Sequence, residues 1–196
     1  MIPACLLEGL RTRYAEPQRH YHDWAHVETL LEYFRRREDQ FHRPEPVLWA
    51  LYWHDAVYDP LAQDNEEQSA QLLERDAAGH LTPEDAAFAA MMIRATADHV
   101  VPPGLNTQDT ADLGLFLDLD LSILGAPAPV YDRYERAIRA EMAAVPADAF
   151  RAARGAILKG LLSRERLYFT PRAHREWEDT ARANLERAIA VLEQGP

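Results

Sequence analysis

Cysteine is almost absent: Cys5 stands alone among 196 residues. A disulfide framework is excluded, and so is any zinc or iron–sulfur site built from several thiolates. Lysine is equally rare. Lys159 is the single one against 20 arginines, which leaves few Schiff-base candidates and many planar donors that match phosphate. Positive charge is in deficit, since 32 acids against 21 bases give a net charge of −11. Such a surface repels phosphate backbones and anionic lipids, so neither a nucleic acid nor a membrane is an expected partner. No apolar run approaches the ~20 residues of a membrane span. The first residues, Met1 to Glu8, turn acidic too soon for a signal peptide. The expected location is cytoplasmic. Glycine is scarce, and no turn between alternating apolar residues suggests a hairpin. G-x-S-x-G, P-loop and G-x-G-x-x-G motifs are all missing.

What remains is an ordinary globular mixture, 47% apolar and 27% charged, long enough for one domain over 1–196. Prolines punctuate stretches whose apolar residues recur with a 3.6-residue period. The pattern predicts an all-α fold, a compact bundle of about nine helices near 3–14, 23–40, 44–57, 64–78, 83–99, 109–124, 128–144, 147–163 and 172–193. Thr82-Pro83-Glu84-Asp85 has a cap residue, then proline at the first helical position, then acids in the first turn. Asp64-Asn65-Glu66-Glu67 is similar, and Gly125 after Leu124 reads as a C-terminal stop.

The informative residues are ionisable groups inside apolar helices. Val47 to Val57 is apolar or aromatic except for His54-Asp55. A carboxylate there costs several kcal/mol unless it is paired or binds a cation. A buried His–Asp ion pair or cap satisfies that demand, and so does a metal. Leu115 to Leu124 carries Asp118 and Asp120 in an equally apolar run. Residues two apart point ~200° apart on a helix, so the two acids cannot aim at one spot. Asp120 has Phe116, Leu117, Ile123 and Leu124 as its helical neighbours, which makes it the first choice of ligand and Asp118 the reserve. His22 and His26 share a face if their helix begins by His22; the alternative is two surface or capping histidines. His99 falls near a helix end, where a cation is also a plain stabiliser. Collected, His22, His26, His54, Asp55 and Asp120, with His99 as an outlying member, suit a transition-metal dication without any thiolate.

The order His26, His54-Asp55, Asp120 resembles the H…HD…D signature of the HD-domain superfamily of metal-dependent phosphohydrolases. Tyr21-His22-Asp23-Trp24-Ala25-His26 looks like the Y-H-N-x-x-H element of its cyclic-nucleotide phosphodiesterase branch, with Asp23 where that branch has asparagine. More closely, the chain resembles a bacterial subfamily of about 200 residues with no settled substrate. The matching pieces are Arg19 to His22, His54 to Asp59, Asp64 to Ala70, Thr96 with His99, Phe116 to Gly125, Ile138 to Glu141 and Ala181 to Leu185. The resemblance implies an HD-type helical domain. It implies His26, His54, Asp55 and Asp120 as ligands of one divalent ion (Mn, Fe, Mg, Zn, Co or Ni). It also implies His22 as the general acid. The extra charge of Asp23 would help keep His22 protonated.

The expected activity is hydrolysis of a phosphomonoester or phosphodiester, on a nucleotide or another small phosphorylated metabolite, by metal-activated water. Asp118, Asp59 or Glu66 would orient the water or support the ligands. Arg19, Arg139 or Arg164, together with His99, would contact the substrate. A homodimer is open. The alternative is a non-catalytic helical module that binds a metal or a nucleotide. His22-Asp23-Trp24-Ala25-His26 also mimics the H-E-x-x-H helix of zinc peptidases, but its acid is one methylene short.

Overall fold

The computed structural model describes residues 2–194. The described residues are all-helical: nine α-helices, two 3₁₀ segments and no strand. They fall into two compact units, Met1–Asp120 and Leu121–Pro196.

The first unit holds α1 (Ala4–Tyr14), α2 (Trp24–Arg35), a 3₁₀ turn (Glu38–Gln40), α3 (Pro44–Trp53), α4 (Asn65–Asp76), α5 (Pro83–Ala95) and α6 (Thr107–Asp120). Its hub is α3, which touches α2, α4, α5 and α6. That role follows from composition: Val47, Trp49, Ala50, Leu51 and Trp53 are all buried, on more than one face of the helix. Arg43 at the N-cap of α3 offers no capping side chain. Asp112 of α6 substitutes, accepting from His42 N at 2.8 Å and Arg43 N at 2.7 Å. Helix α6 is buried continuously from Asp112 to Leu119.

Five helices end at least three residues before the predicted bounds, α6 at Asp120 and α7 (Ala128–Glu141) among them, and the ends of α2, α3 and α5 show why. Helix α2 stops at Arg35, and its continuation tightens into the 3₁₀ turn. Helix α3 stops at Trp53, so His54-Asp55 lies in the turn after it. There the Asp55 and Ala56 carbonyls accept from the Arg19 guanidinium rather than from a following helical turn. Helix α5 stops at Ala95; His99 closes it with a left-handed backbone (φ 51°) and an N–H donated to the Ala95 carbonyl at 2.9 Å. The Thr82 cap forms as expected, its hydroxyl accepting from Asp85 N. Asp64, by contrast, makes no side-chain cap.

The second unit holds a 3₁₀ segment (Leu121–Gly125), α7 (Ala128–Glu141), α8 (Ala147–Leu162) and α9 (Pro171–Gln194). Its core gathers Leu124, Tyr131, Leu158, Tyr168, Ala181 and Leu185. The motif around Asn184 is structural here: its side-chain amide donates to the Leu124 and Ala126 carbonyls at 2.8 Å each. Arg182 likewise donates to the Leu162, Arg164 and Glu165 carbonyls. Gly125 is not a left-handed stop. It is glycine because α9 packs against it: a Cβ there would lie 2.5 Å from Trp177 Cβ. Gly125→Ala is therefore expected to lower stability by about 1–3 kcal/mol, the usual cost of overpacking, as read by urea denaturation. A loss below a few tenths of a kcal/mol would show that Trp177 yields freely.

Among the described residues no single helix is long and apolar enough to cross a membrane.

Candidate metal centre

Each side chain of the centre is placed by a local feature of the first unit. Asp23 caps α2, its carboxylate accepting from Ala25 N and His26 N. That cap orients the first turn and points His26, on the buried face, inward. His54 and Asp55 occupy the turn that ends α3, and Asp120 is the last residue of α6.

The four meet closely. His26 Nε2 lies 3.1 Å from His54 Nε2. Asp55 Oδ2 is 3.0 Å from His54 Nε2 and 3.8 Å from His26 Nε2. Asp120 Oδ1 is 3.4 Å and 3.6 Å from the same two nitrogens, while its Oδ2 faces His99 Nε2 at 3.0 Å. Two imidazole nitrogens at 3.1 Å repel when both present lone pairs, so a proton or a cation must sit between them. His54 Nδ1–H donates to the Leu51 carbonyl at 3.1 Å, which turns the Nε2 lone pair of the neutral ring toward the cluster. Ligands bound at ~2.0–2.2 Å stand about 3.0–3.5 Å apart around one ion, close to the separations seen here. The His26–His54–Asp120 group could hold a metal ion.

Burial opposes a charge on His54, but the Asp55 and Asp120 carboxylates outweigh it and push its pKa up to about 9. Burial likewise opposes the charge on Asp55, yet the surrounding histidines, His54 foremost, hold it far below the usual carboxylate range. Asp120 is also held low: burial opposes its charge, but hydrogen bonds from His26 and His99 prevail. The stability linked to His54 is then fully present below its unfolded value of 6.5 and lost as pH rises through about 9. That linked to the two acids is present above about 4 and lost only as pH falls toward their depressed values. The chelator-treated protein should therefore melt at a falling temperature between pH 6.5 and 9.5, and His54→Gln should flatten the trend. A flat or rising profile in the parent would overturn the assignment.

His22 stands outside α2, immediately before the Asp23 cap, so it does not share a helical face with His26. Its ring stacks on Tyr58 (centroids 4.4 Å) and meets the edge of Tyr21 (5.1 Å). The His26 ring centroid is 6.3 Å away, and His22 is among the charges acting on Asp55. The Asp23 carboxylate, expected to act on His22, is engaged by the α2 backbone. Asp118 is fully buried on α6, two residues before Asp120. Glu66 is half-buried in the first turn of α4, which Ser69 and Asn65 tie to the Val57 and Asp59 backbone.

Arg19 takes a different part from the expected substrate contact. Its side chain has no exposure, and it donates to Glu16, His22 O (2.9 Å), Asp55 O (2.7 Å) and Ala56 O (3.3 Å). It thus ties the His22 segment to the His54-Asp55 turn and has little left for a ligand. Arg139 belongs to the second unit, where it donates to the Met142 and Val145 carbonyls past the end of α7. Arg164 also lies in that unit.

Two positioning residues left no chemical signal in the sequence. Tyr14 reads as a plain core aromatic on α1, yet its hydroxyl accepts from Asp55 N at 3.3 Å and donates to Tyr52 O at 3.1 Å. Tyr58, four residues after His54, supports the His22 ring.

Compared with protein-family models, with curated proteins and with solved structures, the chain matches none.

Proposed function

We propose that this protein is a metal-dependent phosphohydrolase of the HD type, acting on a small phosphomonoester or phosphodiester. The observation that carries the reading is the convergence of His26, His54 and Asp120 into a group that could hold one ion, with Asp55 Oδ2 beside it at 3.0 Å from His54 Nε2 and 3.8 Å from His26 Nε2. Two nitrogens and two carboxylates favour Mn, Fe, Co, Ni or Zn over the oxygen-seeking Mg and Ca. Such an ion, when bound, supplies an activated water and neutralises charge on a phosphoryl oxygen.

The chain's own residues supply the rest. Asp55 and Asp120 balance the dication. His54 is oriented by the Leu51 carbonyl, and His99, through Asp120 Oδ2, orients that carboxylate. His22, whose ring contacts Tyr58 and Tyr21, would give the proton to the departing ester oxygen. The His–Asp turn keeps its shape through Arg19 and Tyr14.

The test is direct. Protein stripped with chelator and reloaded with one metal at a time is assayed on p-nitrophenyl phosphate, bis-p-nitrophenyl phosphate and a panel of phosphorylated metabolites. Turnover that requires a transition metal and is lost with His22→Ala while the metal stays bound supports the assignment. Stoichiometric metal without any turnover on the panel points to a binding module instead.

A further inference from the structure

A second site lies in the Leu121–Pro196 unit, independent of the metal centre. A cavity of about 490 Å³ opens among α7, α8 and α9, within the range that holds small organic ligands. Its floor is apolar: Phe150 of α8, and Ala188, Val191 and Leu192 of α9. Val191 is the most accessible of these apolar side chains, 65% exposed.

The rim carries four arginines, Arg136, Arg139, Arg151 and Arg187, and two acids, Asp132 and Glu135. The pairing decides the net charge. Arg187 is bonded to Asp132, and Arg151 to Asp148. Glu135 is held from outside the cavity by Arg154, at 2.7 Å. Arg139 gives one hydrogen bond from each terminal nitrogen to a neutral carbonyl and keeps further N–H groups, its guanidinium resting on the Phe150 ring at 4.9 Å. Arg136 makes no hydrogen bond or ion pair with the described residues. Two positive charges, three residues apart on one face of α7, are thus left without a carboxylate. In a chain of net charge −11 that is a local reversal of sign beside an apolar floor.

We infer that this cavity binds a small amphipathic anion, an acyl or alkyl chain ending in a carboxylate or phosphate. The chain covers Phe150, Val191 and Leu192, and the anionic head meets Arg136 and Arg139. A guanidinium fork matches either oxyanion, so the head group is specified by charge and the tail by the floor.

Calorimetric titration of the full-length protein tests this with decanoate, decyl phosphate, inorganic phosphate and decyltrimethylammonium, each below its micellar concentration. Decanoate or decyl phosphate is expected to bind, and the other two are not. Arg136→Ala, at an exposed position with no partner to lose, should weaken binding about tenfold, and Val191→Asp should do at least as much. His54→Ala should leave the affinity unchanged, which separates this site from the metal centre. The inference fails if the ammonium binds as well as decanoate. It fails too if inorganic phosphate binds as tightly, if Arg136→Ala stays within twofold of the parent, or if neither decyl anion binds.

Discussion

A His54→Ala chain is expected to fall from about one bound ion per chain to a trace, and to lose at least ~100-fold in phosphate-ester hydrolysis. The reason is geometric. His54 Nε2 is the donor nearest both His26 Nε2 and Asp55 Oδ2, at 3.1 and 3.0 Å, and its orientation is set by the Leu51 carbonyl. Deleting it removes a ligand and separates the others. Metal analysis of purified protein, run beside the assay, reads both effects. The acids of α6 give an internal comparison. Asp120→Asn removes a charge that faces three imidazoles and should lose metal similarly. Asp118→Asn alters a buried acid two residues away and should keep the metal. Full metal in both His54→Ala and Asp120→Asn chains would remove the centre from consideration.

Arg19→Ala should be the most destabilising single change in the first unit outside its hydrophobic core, by about 3–5 kcal/mol in urea. The guanidinium is enclosed by the Tyr14 and Tyr58 rings, at 5.0 and 5.4 Å. It satisfies the carbonyls of His22, Asp55 and Ala56 together. Truncation strands those carbonyls away from water and releases the turn that carries His54 and Asp55. Arg19→Lys should recover less than half of the loss, because a single ammonium cannot reach the positions a planar fork spans. Metal affinity should fall along with stability even though Arg19 is no ligand. A loss below ~1 kcal/mol would show that the turn holds its shape unaided.

Helices such as α2, α7 and α9 were legible because a 3.6-residue apolar period survives over them, whereas α3 and α6 are apolar on more than one face and stood out as long apolar runs between prolines and caps. Their ends were less so. Nothing local says that α3 stops at Trp53, because the carbonyls beyond it are taken by an arginine 36 and 37 residues earlier. Gly125 shows the same limit: the sequence suggests a helix stop, and the packed structure shows close approach by Trp177.

The candidate centre divides the same way. His54, Asp55 and Asp120 stood out because ionisable groups inside apolar segments demand a partner, and helix geometry favoured Asp120 over Asp118. Which partners they find is a matter of long-range folding, and so is the part played by each arginine. Arg19 and Arg139 carry the same side chain, yet one is walled in as a clamp on the His–Asp turn and the other lines an open cavity. Helical periodicity is a property of neighbours along the chain, so the sequence by itself determined the class of fold and the residues under electrostatic strain. The distances that make those residues a candidate metal centre, and the burial that turns an arginine into scaffolding, depend on contacts between segments tens of residues apart, and only the tertiary structure decided them.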